Sequence, residues 1–316
     1  MKSQSVAAAL PSVGTRETGA AYSEKWFVRL LYAPTMIFLI LIAIFPLFYS
    51  LGVSLTNLVT GSPAKFIWFQ NYADLFTGGD LAIASLTTVR FTIFAVVIEM
   101  GLGILIAFAL NQRLPGVGIA RVIVFLPMML APLVVGLFWR FLLDQTFGLV
   151  NWSLTALGLQ PVAWFVVPSN AMAAIILVDV WQWTPFVILL ALAALGTIPE
   201  ELKEAATLDR APIWMKFRQI YWPYMKFPLV LAFLFRTIDC LKMFDLAYVL
   251  TGGGPGDFTT TISLLTWRYA LMFFKIGKAA ASSWLLVIAI SIIVNILLRV
   301  LMPAQKPKSE AVSTGL

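Results

Sequence analysis

The sequence predicts an all-α integral membrane protein, a bundle of six membrane-crossing helices, on three observations. Of 316 residues, 60% are hydrophobic and 12% charged, against roughly 25% charged in a soluble domain. Apolar runs of about 20 residues recur, the length a helix needs to cross a hydrocarbon core of ~30 Å. Basic residues fall between these runs and differ in density from one loop to the next, the asymmetry that orients membrane proteins.

In chain order, residues 1–29 form a polar tail carrying Lys2, Arg16, Lys25 and Arg29. It reads as a cytoplasmic segment that is not cleaved, because the apolar run after it is too long for the core of a secretory signal. A transmembrane domain over 30–302 follows, with spans at about 30–55, 89–110, 119–143, 171–195, 228–250 and 279–301, and a cytoplasmic tail at 303–316. Pro34, Pro46, Pro127, Pro132 and Pro185 fall inside spans. Kinks are expected there, with neighbouring groups satisfying the freed carbonyls.

With the amino terminus inside, the cytoplasmic segments hold the tail cations, Arg113, Arg121, Lys203, Arg210, Lys216, Arg218, Lys226, Arg299, Lys306 and Lys308, against Lys65, Arg268, Lys275 and Lys278 on the opposite face. That bias predicts a multi-pass protein of a bacterial inner membrane with both termini cytoplasmic. Trp26, Trp68, Trp222 and Trp267 suit an aromatic belt among the lipid headgroups. The outer loops are short, and the run Gly252-Gly253-Gly254-Pro255-Gly256 reads as a tight turn.

The net charge of +7 belongs to those loops. No continuous basic face suggests nucleic acid. Histidine is absent and Cys240 is the single cysteine, which excludes a Ser-His-Asp or Cys-His catalytic set, a His-ligated metal and an internal disulfide. No Gly-x-x-x-x-Gly-Lys-Ser/Thr run exists to cradle ATP.

The segment between the fourth and fifth spans is too patterned for a connector. Pro199 suits a helix start, Glu200 and Glu201 suit the positive end of the helix dipole, and the residues after them are good helix formers. A short amphipathic helix is expected over about 199–213. Small Ala205 and Ala206 permit close approach of another backbone, while Glu204, Asp209, Lys203 and Arg210 offer charges to a polar partner. Lying flat on lipid headgroups is the alternative use of such a helix.

At this segment the chain resembles the inner-membrane permease subunits of binding-protein-dependent ABC importers, in particular the carbohydrate branch with the maltose and trehalose permeases. The resemblance runs from about residue 30 to the end. It rests on Glu204-Ala205-Ala206, Asp209-Arg210-Ala211, Phe217, Ile220 and Trp222-Pro223, which match the family's cytoplasmic signature. A second match is Arg236, Asp239, Lys242, Phe244-Asp245 and Tyr248 leading into Leu250-Thr251-Gly252-Gly253-Gly254-Pro255. Two positions depart: Arg210 stands where the family usually has Gly, and Trp222 where it has Leu. Arg is poorer than Gly at positive φ, so either the turn differs or Arg210 adds a contact to the ATPase.

The resemblance implies an importer of a sugar or related polyol working by alternating access. The chain would be a permease and not itself an enzyme; ATP and Mg would be bound by two separate nucleotide-binding ATPase subunits. A second homologous permease subunit and a periplasmic or extracytoplasmic binding protein would complete the assembly. Glu204, Ala205, Ala206, Asp209 and Arg210 would couple to the ATPase. An ion-coupled secondary transporter, with Glu99, Asp179 or Asp239 carrying protons, is the alternative function.

For the substrate path, ionisable groups inside spans mark a cavity or a partner. Arg236, Asp239, Lys242 and Asp245 recur every three residues of the fifth span, so consecutive members can meet on one helical face. Two roles fit this strip: a polar lining in which Asp239 and Lys242 hydrogen-bond sugar hydroxyls, or mutual ion pairing that holds the bundle. Trp181, Trp183 and Phe186 flank Pro185 and offer faces for a sugar ring, although core packing explains them equally well. By resemblance to maltose permease, its sugar contacts align with Trp183, Phe186, Asp239, Cys240 and Met243. Asp179 is expected to pair with a basic group; Glu99 and Arg140 are the other span charges.

Overall fold

A backbone in hydrocarbon must satisfy its own polar groups, and the secondary structure is accordingly helical. The structure, a computed structural model, describes residues 18–112 and 115–301. The amino-terminal 17 residues, Arg113 and the expected tail at 303–316, with Lys306 and Lys308, lie outside the described residues. The chain divides into two units, Met1–Gly52 and Val53–Leu316.

The first unit holds α1 (Thr18–Leu39), a π-helical turn at Ile40–Ile44, and most of α2 (Phe45–Ser54). Together Trp26–Ser54 is a 29-residue helix long and apolar enough to span a membrane, and none of its most apolar stretch is buried by protein. Lipid is the solvent such a surface requires.

The second unit begins with α3 (Gln70–Thr77) and the long α4 (Asp80–Leu110). Then come α5 (Val117–Phe125), a 3₁₀ turn at Pro127–Met129, α6 (Pro132–Leu142) and α7 (Leu149–Ala156). After α8 (Pro168–Gly196) the chain forms α9 (Glu200–Leu208), α10 (Ile213–Lys216), a π turn at Phe217–Tyr221 and α11 (Trp222–Leu241). A π turn at Ala247–Thr251, α12 (Ile262–Trp267), another π turn at Arg268–Met272 and α13 (Ile276–Leu301) complete it.

The centre is made by α4, α8 and α11, which pack on one another. Phe91, Ala95, Ile175, Val178 and Cys240 form one apolar cluster there, and Ala107, Val187, Ile188, Ala191 and Met225 another towards the α9 end. Small residues let helices approach without a hydrophobic driving force: a Cβ at Gly103 of α4 would stand 2.5 Å from Val187 Cγ1 of α8.

In two of the expected spans the helix is interrupted. The run 119–143 is not one helix: α5 with its 3₁₀ turn and α6 meet at 101°. Leu130 and Ala131 are extended (ψ 145° and 134°), as the residue before a proline prefers, and the freed Leu130 carbonyl accepts from Gln182 Nε2 at 3.0 Å. The run 228–250 also breaks, because α11 ends at Leu241. There Ser263 Oγ donates to the Lys242 carbonyl (3.0 Å) and Thr261 Oγ1 to that of Met243 (2.9 Å). Asp245 therefore lies beyond the helix that carries Arg236 and Asp239, and the four charges do not form one helical strip. Among the described residues four helices have the length and apolarity to cross, or five if the bent pair counts as one.

The stretch 251–278, expected as a loop, contains α12 and packs inward through buried Leu264, Leu265 and Tyr269. Gly277 abuts the Thr56 carbonyl so closely that a Cβ would collide with it.

Candidate functional site

Two places gather the residues singled out by sequence. The first is a cavity of about 260 Å³ at the break after α11, lined by Asp179, Trp183, Arg236, Asp239, Lys242, Met243 and Asp245, among others. Trp183, Asp239, Lys242 and Met243 thus line one cavity. Phe186 is not among the lining residues and instead meets Phe235 edge-on, with centroids 6.4 Å apart. Cys240 is only 1% exposed and faces Arg236 Nη2 at 3.3 Å, behind the cavity.

Arg236 organises this region. It is 2% exposed, and an arginine so buried needs carboxylates on its donors. Glu99 of α4 receives two hydrogen bonds, from Nε (2.7 Å) and Nη2 (2.8 Å). Asp179 of α8 receives a third from Nη2 at 2.7 Å. Nη1 faces Asp239 at 3.8 Å, and Asp239 is paired at 3.0 Å with Lys242. The guanidinium also lies 5.0 Å from the centroid of the Trp183 ring, within cation–π range. One side chain therefore ties three helices together. Ion pairing is the role Arg236 takes in the strip, while Asp239 and Lys242, with about half of each side chain exposed (42% and 57%), remain open to the cavity.

Sequence reasoning expected a basic partner for Asp179 but did not pair Glu99 with anything. The signal available was that all three groups are ionisable and lie inside apolar runs, where such groups seek each other or a cavity.

The second place is the turn after α8. Pro199 precedes α9, and Glu200 and Glu201 occupy its first turn. Glu204, Ala205, Asp209 and Arg210 are exposed and Ala206 is buried. Ala211 N donates to the Ala206 carbonyl (3.0 Å) and Arg210 N to that of Thr207 (3.1 Å), the pair of bonds that closes a Schellman turn. Its left-handed position is filled by Arg210 at φ 50°. Of the two outcomes foreseen for Arg210, an altered turn is not the one found: the glycine-type turn persists with an arginine in it. A groove of about 430 Å³ runs from Leu202, Ala205 and Ala206 past Arg210 to Lys216 and Ile220.

The turn after Thr251 is held by side chains of the same stretch. Arg268 binds Asp257 and the Gly252 carbonyl, and the Thr259 and Thr260 hydroxyls donate to the Gly254 and Gly253 carbonyls at 2.7 and 3.2 Å. A Cβ at Gly253 (φ 94°) would meet Thr260 Oγ1 and the Arg268 guanidinium.

Comparison with known proteins agrees with this architecture. The model of the family described as binding-protein-dependent transport system inner membrane component matches residues 99–309. The chain is 38% identical over 275 residues to the trehalose/maltose transport system permease protein MalF of Thermococcus litoralis, covering 86% of this chain and 93% of that protein. It is 34% identical over 261 residues to the sulfoquinovosyl glycerol transport system permease protein SmoG of Agrobacterium fabrum, covering 82% and 84%. Identity is 30% over 284 residues to the trehalose transport system permease protein SugA of Mycobacterium tuberculosis, covering 89% and 91%. A solved bacterial ABC transporter involved in the import of the acidic polysaccharide alginate shares the fold, with TM-score 0.80, 20% identity and coverage of 91% of this chain and 99% of that one. The chain belongs to the family of inner-membrane components of binding-protein-dependent transport systems.

Proposed function

We infer that this chain is the membrane-spanning subunit through which a sugar or related polyol enters the cell, driven by ATP hydrolysed on separate subunits. The observation that carries the reading is the polar cavity at the break after α11, where the half-exposed Asp239 and Lys242 stand beside the Trp183 indole. Carboxylate and ammonium groups hydrogen-bond hydroxyls, and an indole face stacks on the apolar face of a sugar ring. Relatives named for trehalose, maltose and sulfoquinovosyl glycerol support a carbohydrate substrate. None of them supports the ion-coupled alternative.

The exposed α9, with Glu204 and Ala205 outward, is the proposed contact with a nucleotide-binding subunit, where ATP and Mg would be held. Seated in a groove of that subunit, it would convert closure of the ATPase pair into rotation of the spans and expose the cavity to each side in turn. A second permease of the same family and an extracytoplasmic binding protein complete the proposed assembly. The chain would sit in the inner membrane with both termini cytoplasmic.

The test is ATP hydrolysis by the purified assembly with loaded binding protein. Stimulation is expected in the parent and its loss in Glu204→Ala, with subunits still associated. Retention of full stimulation in that variant removes the coupling role from α9. Uptake that follows a proton gradient with no ATPase subunit bound removes the importer reading.

A further inference from the structure

We propose that Arg236 is a positioning residue of the translocation cavity. The guanidinium is anchored by Glu99 and Asp179, and it sets the Trp183 indole and the Asp239 carboxylate in the relative geometry that a sugar ring meets. This rests on the sugar reading above.

The geometry carries the proposal. Nε and Nη2 of Arg236 are committed to Glu99 and Asp179 at 2.7–2.8 Å, and Nη1 faces Asp239 at 3.8 Å. The fork of bonds to Glu99 fixes the plane of the guanidinium, since a bidentate pair tolerates little rotation. From that fixed plane two cavity-lining groups take their orientation. The Trp183 ring lies 5.0 Å from Cζ, and Asp239, 3.8 Å from Nη1 on one side and 3.0 Å from Lys242 Nζ on the other, is held between two cations. Asp239 is therefore poised to exchange the Lys242 ammonium for a substrate hydroxyl without leaving Arg236. Lys242 is the cavity cation free to turn towards an incoming oxygen, its side chain being 57% exposed.

A plain bundle clamp would require the Glu99 and Asp179 bonds only. It would not require contact with Trp183 and Asp239 as well. Substituting the cluster by apolar groups separates the two roles, because a buried ion-pair triad is often replaceable by hydrophobic residues of similar volume without loss of stability.

The test uses the complete assembly in proteoliposomes, with the binding protein and radiolabelled trehalose as probe, reading sugar moved per ATP hydrolysed. Arg236→Lys, which keeps the charge but loses the fork, is expected to lower that ratio at least about tenfold, the scale of one lost charged hydrogen bond. The triple variant Glu99→Leu/Asp179→Leu/Arg236→Met is expected to assemble in normal yield and to keep the low ratio. Uptake and hydrolysis falling in proportion in Arg236→Lys, or a triple variant that restores the parent ratio, overturns the positioning role.

Cys240, the single cysteine, reads the same site without substrate. Its buried thiol lies against Arg236 and Asp179, so alkylation by N-ethylmaleimide is expected to speed up at least about tenfold in Arg236→Lys as the cluster loosens. If the parent moves neither trehalose nor any of a panel of radiolabelled sugars and polyols, the sugar reading falls; unchanged protection of Cys240 in Arg236→Lys overturns the positioning role separately.

Discussion

The buried Arg236 cluster and the exposed turn after α9 solve opposite problems with arginine. In the cluster, Arg236 meets carboxylates 137 and 57 residues away in sequence and is almost wholly enclosed. In the turn, Arg210 is exposed and adopts a left-handed backbone that a glycine would take more readily. The first arginine is costly to remove because of what surrounds it; the second is costly to keep because of its own backbone. A side chain's worth is thus set by its partners in the centre of the bundle and by local conformation at its rim.

The sharpest way to break the comparison is Arg236→Met alone. It strands Glu99 and Asp179 in the apolar centre, and loss of one partner from a buried ion network costs about 3–5 kcal/mol. Greatly reduced yield and a lowered unfolding temperature in detergent are expected. Unchanged thermal stability would mean that the three helices do not depend on the cluster.

At the rim the expected effect is smaller and of opposite sign. Arg210→Gly relieves a left-handed non-glycine residue and is expected to stabilise the turn by about 1 kcal/mol, seen as slower amide exchange at residues 210 and 211. ATPase stimulation by loaded binding protein tells whether the guanidinium does anything more. A drop in stimulation despite the firmer turn would give Arg210 a contact of its own with the ATPase.

The smallest effect belongs to the turn after Thr251. The Asp257 carboxyl is held below its ordinary value of 3.8, chiefly by the hydrogen bond from Arg268, with the Thr260 hydroxyl adding to it and partial burial opposing it. A depressed carboxylate contributes stability above its unfolded value and loses it as pH falls through the folded value. The latch should therefore hold at neutral pH and weaken only in acid below about 3.8. Because Asp257 is largely exposed, its contribution is under about 1 kcal/mol. Proteolysis of the 252–261 turn in Asp257→Asn at pH 7 is expected to rise slightly; a large rise would make the ion pair more than a surface contact.

The rim was legible because its instructions are local. Glu204-Ala205-Ala206 and Asp209-Arg210-Ala211 sit within a single stretch, and helix formers between Pro199 and the turn suffice to place α9. The breaks were less legible. Pro127 and Pro132 announced a disturbance, but not its size, 101°, nor that Gln182 of another helix would satisfy the freed Leu130 carbonyl. The end of α11 at Leu241 carries no proline at all. It is made possible by Thr261 and Ser263, which come from α12 and its cap to satisfy two carbonyls. Hydropathy reads that segment as continuous, so the strip of charges drawn along it had to fail at Asp245.

By itself the sequence determined the apolar, helical character of the chain, the absence of a nucleotide-binding loop and the family signature, since each depends on composition or on neighbours along the chain. Tertiary structure alone decided which charges meet. Glu99, Asp179 and Arg236 lie on three different helices, and a buried arginine binds whichever carboxylates the packing of those helices brings within hydrogen-bonding reach. That same packing places Trp183, Asp239 and Lys242 around one cavity while turning Cys240 behind it, because helix rotation about its own axis is set by neighbours and leaves no mark on the order of residues.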